Sequence, residues 1–166
     1  MSEDVVANAV LTSEREITLS GERTVGMWSE PALRRAMENL LNNAIKYSPP
    51  GTPIQVEISC FDGRAAWKVS NQGNAIPNDQ IEGLFQLFRR VEFKHPQGVT
   101  GWGIGLPYVR SVAERHGGSV IVASNEQQTS FAIDIPQDPR PVLGAAAATG
   151  SNGQSDQTQN QGGSNE

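Results

Sequence analysis

Residues 39–47, Asn-Leu-Leu-Asn-Asn-Ala-Ile-Lys-Tyr, lie in a stretch whose apolar residues recur at spacings of three and four. That spacing predicts an amphipathic helix with one face in the core, which we place at about Glu30 to Tyr47. Ser29 is the expected N-cap and Pro31 falls in the first turn. A Ser-Pro-Pro-Gly sequence at residues 48–51 is expected to end the helix.

Four polar side chains of this helix share one face, because they recur at i, i+4, i+7 and i+8. Amide oxygens are suitable ligands for a hard cation such as Mg²⁺, and a lysine ammonium neutralises phosphate charge. The alternative is a solvated face of an ordinary amphipathic helix, and this segment alone does not decide between the two. The four residues are Asn39, Asn43, Lys46 and Tyr47.

Residues 101–106, Gly-Trp-Gly-Ile-Gly-Leu, precede a second helical pattern that runs from Pro107, at the first helical position, to His116. A glycine-rich loop that opens a helix offers backbone N–H groups and the positive end of the helix dipole to an anion. The spacing is not the dinucleotide-binding fingerprint, and no Gly-Lys-Ser/Thr follows, which excludes a Walker loop. A flexible turn is the alternative, since Gly-x-Gly-x-Gly alone is a weak signal.

The remaining elements follow a mixed α/β order that predicts a sheet with helices layered on one face. His116 is expected to close its helix before Gly117 as a terminal cation. The expected strands and short helix are Glu16–Leu19 paired with Thr24–Met27, a hairpin of Pro53–Phe61 and Ala65–Ser70, the helix Asp79–Leu87, and Ser119–Ser124 paired with Ser130–Ile135.

Length and composition limit the function classes. The chain has 166 residues, enough for one domain with a good core, and a formal net charge of -5 with scattered basic residues, which argues against nucleic acid as a partner. The one cysteine, Cys60, is expected to be a buried and inert thiol. No apolar stretch is long enough to span a bilayer and no signal-peptide pattern is present, so we expect a cytoplasmic chain without direct membrane contact. A membrane-anchored parent protein remains open.

The chain divides into three parts. We interpret residues 1–13 as an N-terminal leader or the end of a missing upstream helical domain, and residues 14–138 as the folded domain. Residues 139–166 are expected to be a disordered low-complexity tail, which is rich in Gly, Ser, Asn, Gln and Ala from residue 144 onwards. Such a composition buries too little apolar surface to offset the entropy of ordering.

Taken in order, five motifs resemble the ATP-binding catalytic domain of bacterial sensor histidine kinases, a group related to heat-shock chaperone, gyrase and mismatch-repair ATPases. Each motif is weak alone, but the ordered set is specific and covers about Glu14 to Pro136. The resemblance implies an α+β fold of the Bergerat type, a two-layer α/β sandwich whose mixed sheet of about five strands packs on three helices. The motifs are Asn-x-x-x-Asn-Ala-x-Lys-Tyr from Asn39, Asn-x-Gly-x-x-Ile-Pro from Asn71, Phe-x-x-Phe-Arg-Arg from Phe85, Gly-x-Gly-x-Gly-Leu from Gly101, and His-Gly-Gly from His116.

The resemblance also implies ATP and Mg²⁺ as cofactors and assigns roles by position. Asn43, with Asn39 nearby, coordinates Mg²⁺, while Lys46 and Tyr47 lie beside the phosphates. The segment Val91–Thr100 corresponds to a lid over the nucleotide. The other nucleotide-binding positions are Asn71, Gly73 and Ile76 in the first glycine box, Phe88, Arg89 and Arg90 in the phenylalanine box, Gly101, Gly103, Ile104, Gly105 and Leu106 in the glycine loop, and Thr129 before the last strand.

Three positions depart from the family pattern. Asn71 replaces an aspartate that accepts a hydrogen bond from the adenine amino group, and its amide oxygen can accept the same bond without charge. Ala75 replaces the second glycine of that box, and Gln128 replaces the glycine before Thr129. The departures leave a second hypothesis open, in which the chain is a non-catalytic docking or regulatory module.

By resemblance the chain transfers the ATP γ-phosphate to a histidine on a separate dimerisation domain, upstream or in trans, with a response regulator downstream. Neither His95, an expected lid residue, nor His116 fits the role of phosphoacceptor, and no residue of this chain is assigned a catalytic role. A serine protein kinase of the anti-sigma type is a third hypothesis, since it belongs to the same ATPase group and needs no histidine helix.

Overall fold

A mixed five-stranded sheet carries the fold within residues 1–87 and 103–140, the part of the chain that the computed structural model describes. Its first two strands are parallel and the other neighbouring pairs are antiparallel. The strands are β1 (Ile17–Gly21), β2 (Ile54–Phe61), β3 (Arg64–Asn71), β4 (Ser119–Ser124) and β5 (Thr129–Pro136), in the spatial order β1-β2-β3-β5-β4.

Helices cover one face of this sheet. The two long ones, α2 and α4, pack against each other, and α1 packs on α2 and β1. None of the described helices is both long and apolar enough to cross a membrane. The helices are α1 (Ser2–Ser13), α2 (Glu30–Tyr47), α3 (Asn78–Ile81) and α4 (Gly105–Arg115), with a 3₁₀ turn at Glu82–Phe85 between the last two.

The helix α2 confirms the bounds and the cap expected from its sequence. Ser29 Oγ accepts the Ala32 N–H at 3.4 Å, which satisfies one of the free donors of the first turn. Its apolar stripe lies in the core, where each side chain is at most 3% exposed. The stripe consists of Leu33, Ala36, Met37, Leu40, Leu41 and Ala44.

Alternation along the strands separates an apolar inner face from a polar outer face. Trp67 and Val69 of β3 and Ile133 of β5 are buried against the helices, whereas alternate residues of β2, such as Glu57, lie exposed on the other side. The expected two-layer α/β sandwich is therefore confirmed.

The expected strand at Thr24–Met27 is wrong. The chain leaves β1 at Gly21. A Cβ atom at this position would lie 1.9 Å from Ile58 O, so glycine allows the backbone to approach β2 closely. The expected hairpin turn does not form here. The following residues cross the end of the sheet, where the Met27 N–H donates to Gln137 O at 2.7 Å.

Three smaller expectations are also corrected. The single helix expected at Asp79–Leu87 is a short α3 followed by the 3₁₀ turn. The helix α4 begins two residues before Pro107; this proline loses no hydrogen bond, because the first turn of a helix has free N–H groups. Cys60 is half-buried.

The N-terminal segment is part of the packed body. Val5 and Val6 of α1 are buried in the core. That residues 1–13 end an upstream helical domain stays a prediction, as do the boundaries of the folded domain at residues 14 and 138. The expected tail lies outside the described residues from residue 141 onwards.

His116 connects the end of α4 to the start of α2. The Ser29 N–H donates to His116 Nε2 at 3.0 Å, so Nε2 carries no hydrogen and the ring is neutral. Its Nδ1–H therefore donates to Val112 O at 2.7 Å. The expectation of a terminal cation is wrong, because the ring is buried as an acceptor between two helices.

We expect His116→Ala to destabilise the domain by about 1–2 kcal/mol, because the Ser29 N–H loses its partner and a buried ring is removed. Urea unfolding measures this loss. Arg115→Ala changes the exposed neighbouring residue and should leave the midpoint almost unchanged. Equal midpoints for the two variants would contradict a structural role of the ring.

Candidate functional site

A row of polar side chains crosses one end of the apolar inner face of the sheet. Asn71 of β3 is the register partner of Thr129 of β5, which is in turn the partner of Ser124 of β4. Asn71 is 7% and Thr129 5% exposed. Directly opposed residues of antiparallel strands place their side chains on the same face within contact distance. The sheet therefore ends in a cluster of hydrogen-bonding groups.

Hydrogen bonds connect this row to the loop that follows β3. The Ile76 N–H donates to Ser124 Oγ at 2.9 Å, and Ser124 Oγ lies 2.6 Å from Thr129 Oγ1. At the other side of the row, Asn71 Nδ2 donates to Gln72 O at 2.8 Å. That bond engages the amide nitrogen and leaves the amide oxygen of Asn71 as the acceptor of the side chain.

The loop after β3 also meets the C-terminal end of α2. A Cβ atom at Gly73 would lie 3.0 Å from Tyr47 O, closer than nearly all real contacts. Glycine therefore lets the backbone of the first glycine box pack this closely against the helix without displacing the Tyr47 carbonyl.

A second glycine brings the start of α4 against the same helix. Asn39 Nδ2 donates to Arg35 O at 2.8 Å, and Asn39 Oδ1 would lie 2.9 Å from a Cβ atom at Gly105. Gly103, two residues earlier, has a φ of 67°, a conformation that favours glycine. The first residue of α4 therefore lies against the Asn39 side chain of α2, and the turn before it uses a backbone conformation that favours glycine.

The polar flank of α2 faces the space between these loops. Asn43, Lys46 and Tyr47 are half-buried, and Lys46 Nζ lies 5.0 Å from the centroid of the Tyr47 ring. Lys46 forms no ion pair with the residues of 1–87 and 103–140. An ammonium, amide oxygens and the N-terminus of α4 suit a phosphorylated ligand with a cation.

The structure thus brings together three of the motifs that the sequence analysis combined. Ile76 and Leu106 pack against the core, and Ile104 is 47% exposed at the N-terminal end of α4. The sequence analysis did not identify Ser124 as part of the polar row. Only its position at a strand end opposite Thr129 could have indicated this. The expectations for Phe88, Arg89, Arg90, Gly101, His95 and the lid at Val91–Thr100 lie outside the described residues.

An ion pair links the 3₁₀ turn to α4. The Arg110 guanidinium donates two hydrogen bonds to the Glu82 carboxylate, one of them at 2.9 Å, and lies 4.0 Å from the centroid of the buried Phe85 ring. These bonds hold the pKa of the Glu82 carboxyl below its ordinary value of 4.5. The pair fixes the short turn against the first turns of α4.

The fold, with polar strand ends beside a glycine-opened helix, defines the class of two-layer α/β ATPase domains. The chain belongs to the family of histidine kinase-, DNA gyrase B- and HSP90-like ATPases, which it matches over residues 29–139. This family supports the expectation that the ligand is ATP.

Curated relatives point to one branch of the family. The sensor histidine kinase CusS of Escherichia coli O157:H7 is 40% identical over 105 residues, 63% of this chain and 22% of that protein. The sensor-like histidine kinase SenX3 of Mycolicibacterium smegmatis is 32% identical over 145 residues, 85% of this chain and 38% of that protein. The chain therefore spans well under half the length of these relatives.

Solved structures show the same architecture. The mycobacterial sensor histidine kinase MprB matches with a TM-score of 0.69 and 28% identity, covering 83% of this chain and 95% of that chain. The catalytic domain of histidine kinase ThkA matches with a TM-score of 0.69 and 20% identity, covering 83% and 93%, which shows the fold alone.

We expect Glu82→Gln to remove a contribution to stability that depends on pH. Because the folded-state pKa of Glu82 lies below 4.5, its contribution is full above pH 4.5 and is lost as the pH falls through the folded-state value. Urea midpoints of wild type and variant should therefore differ at pH 7 and converge in acid. Glu38→Gln, an exposed change on α2, is the control; a difference that persists in acid would contradict the ion-pair explanation.

Proposed function

We propose that this chain is the ATP-binding catalytic domain of a two-component sensor histidine kinase. It binds ATP with Mg²⁺ and supplies the γ-phosphate to a histidine on a separate dimerisation domain. The observation that carries the proposal is the approach of the loop after β3, at Gly73, and of the start of α4, at Gly105, to one flank of α2. The kinase relatives and their order of motifs support this branch of the family.

The base lies at the end of the sheet. Asn71 Oδ1 accepts a hydrogen bond from the adenine amino group, in place of the aspartate of related domains, and Thr129 lies opposite on the neighbouring strand. Gly73 and Ile76 form the adjoining loop. A neutral acceptor contributes less than an ionised one, by very roughly 1 kcal/mol, so the rest of the affinity comes from the phosphates.

The phosphates lie between α2 and the N-terminus of α4. Backbone N–H groups of the glycine loop and the Lys46 ammonium neutralise their charge. Asn43, with Asn39 beside it, would hold Mg²⁺, which usually takes few protein ligands and completes its shell with phosphate and water oxygens. The carboxamides of this flank fit that requirement, and the bound ion would offset charge on the phosphates.

Phosphoryl transfer needs mainly positioning and charge neutralisation, and these are the contributions of this chain. The acceptor histidine comes from a dimerisation domain in the same protein or in trans. The response regulator that receives the phosphate in the next step, and a cytoplasmic location of this domain, are part of the same proposal.

We expect Asn43→Ala to weaken binding of a non-hydrolysable ATP analogue in Mg²⁺ by about 10- to 100-fold, because a ligand to the charged metal–phosphate unit is lost. Calorimetric titration with and without Mg²⁺ measures this. Asn42→Ala alters the adjacent, exposed asparagine and serves as the matched control. Equal affinities for both variants would remove Asn43 from the site, and a wild type that does not bind would support the docking-module hypothesis.

Transfer of the γ-phosphate to a separate protein tests whether the chain is a histidine kinase domain. With radiolabelled ATP and a histidine-bearing dimerisation domain of a related sensor kinase, we expect label on the partner that is stable in alkali and lost in acid, as phosphohistidine is. The same domain with its histidine replaced by glutamine should take up none. Acid-stable label on a serine would instead identify a serine kinase.

A further inference from the structure

Arg15 lies between α1 and β1, and its side chain reaches the loop that follows α2. Its Nη2 nitrogen lies 2.7 Å from Ser48 Oγ, 2.7 Å from Thr52 O, 3.0 Å from Pro49 O and 3.1 Å from Thr52 Oγ1. Since this nitrogen carries two hydrogens, the two shortest contacts are the bonds that it satisfies best. The side chain thereby joins the segment before β1 to the loop before β2.

The hydrogen bonds at Ser48 have a fixed direction. An arginine side chain only donates hydrogen bonds, and a backbone carbonyl only accepts them. Ser48 Oγ therefore accepts from Arg15 and donates its one hydrogen to Ala44 O, which lies 2.7 Å away. Arg15 and Ser48 thus close the last turn of α2, and the guanidinium adds a positive charge at the negative end of the helix dipole.

The last turn of α2 carries two residues of the proposed site. Lys46 and Tyr47, which the proposed function places beside the phosphates, directly precede Ser48. Helix ends fray, and bonds that cap the last turn oppose this fraying. The bonds from Arg15 to Ser48 and to the following loop therefore hold the turn in one position.

The segment that carries Arg15 is itself held on both sides. Glu14 ends α1 with a φ of 52°, a left-handed conformation that turns the chain out of the helix. Glu16 O then accepts the Ile54 N–H at 2.9 Å, next to the parallel pairing of β1 with β2. Arg15 therefore extends to the end of α2 from a segment that α1 and β2 fix.

We propose that Arg15 is a positioning residue for the phosphate end of the nucleotide site. It acts through Ser48 on the turn that holds Lys46 and Tyr47, and not by contact with the nucleotide. The inference rests on the proposed function, since it requires phosphates beside these two residues.

Calorimetric titration of the full chain with ADP in Mg²⁺ tests the inference at a temperature where each variant is fully folded by circular dichroism. We expect Arg15→Ala to bind ADP about 3- to 10-fold more weakly, because ordering the last turn of α2 then counts against binding. Arg23→Ala removes the same side chain from an exposed position after β1 and should keep the wild-type affinity. Equal affinities of wild type and Arg15→Ala would overturn the inference, and an equal loss in Arg23→Ala would assign the effect to net charge instead.

Two double variants test the route. Ser48→Ala should weaken ADP binding as Arg15→Ala does, and combining the two should add little, because both remove the same chain of hydrogen bonds. In a Lys46→Ala background, Arg15→Ala should have a smaller effect than in the wild type, because the cation that it positions is gone. A purely structural arginine shows no such coupling, so fully independent effects in both cycles would contradict the route.

Hydrogen exchange of the ligand-free chain measures the same contact without nucleotide. In Arg15→Ala the backbone N–H groups of Lys46, Tyr47 and Ser48 should exchange about 3- to 10-fold faster, because opening of the last turn is no longer opposed. Those of β3 and β5 should keep their wild-type rates. Unchanged exchange at the end of α2 would overturn the inference.

The two proposals fail in different ways. A wild-type chain that binds no nucleotide overturns the proposed function and this inference with it. A wild type that binds ADP, with the same affinity in Arg15→Ala, overturns the inference alone and leaves the proposed function standing.

Discussion

The close approach of two backbone segments to α2 is the constraint on which the site depends. The same helix buries its apolar stripe in the core and presents its polar flank to the loop at Gly73 and to Gly105, the first residue of α4. A Cβ atom at Gly73 would lie 3.0 Å from Tyr47 O, and one at Gly105 would lie 2.9 Å from Asn39 Oδ1. Packing of α2 in the core therefore also positions the flank against which these two segments lie, because close-packed interiors transmit displacements.

The polar row at the end of the sheet shows how the fold accommodates hydrogen-bonding side chains within its apolar inner face. Burying a hydroxyl or an amide is unfavourable unless it forms hydrogen bonds. Thr129 and Ser124 bond to each other, Ser124 also accepts the Ile76 N–H, and Asn71 donates to Gln72 O. These hydrogen bonds join β4 to β5 and to the loop after β3, so contacts within the fold hold the row in place.

Local patterns predicted the elements that local physics determines. The helix α2, the hairpin of β2 and β3, and the strands β4 and β5 follow from apolar period and turn residues. The strand expected at Thr24–Met27 failed because β1 pairs in parallel with β2, a contact between segments far apart in sequence. The contacts of His116 and of Ser124 were also missed because their partners lie elsewhere in the sequence or across the sheet. His116 accepts the N–H of the residue that caps α2, and Ser124 accepts the N–H of Ile76 in the loop after β3.

The replacement of a family aspartate by Asn71 is matched by its surroundings. A carboxylate at this 7%-exposed position would place a negative oxygen near the Gln72 carbonyl, where the amide nitrogen now donates at 2.8 Å. The amide avoids the cost of burying a charge and has a partner for its nitrogen. Its oxygen is left as the acceptor of the side chain, the role that the proposed function gives it. The departure thus changes the charge of the acceptor while keeping its hydrogen-bonding sense, which is the property that recognition of an amino group requires.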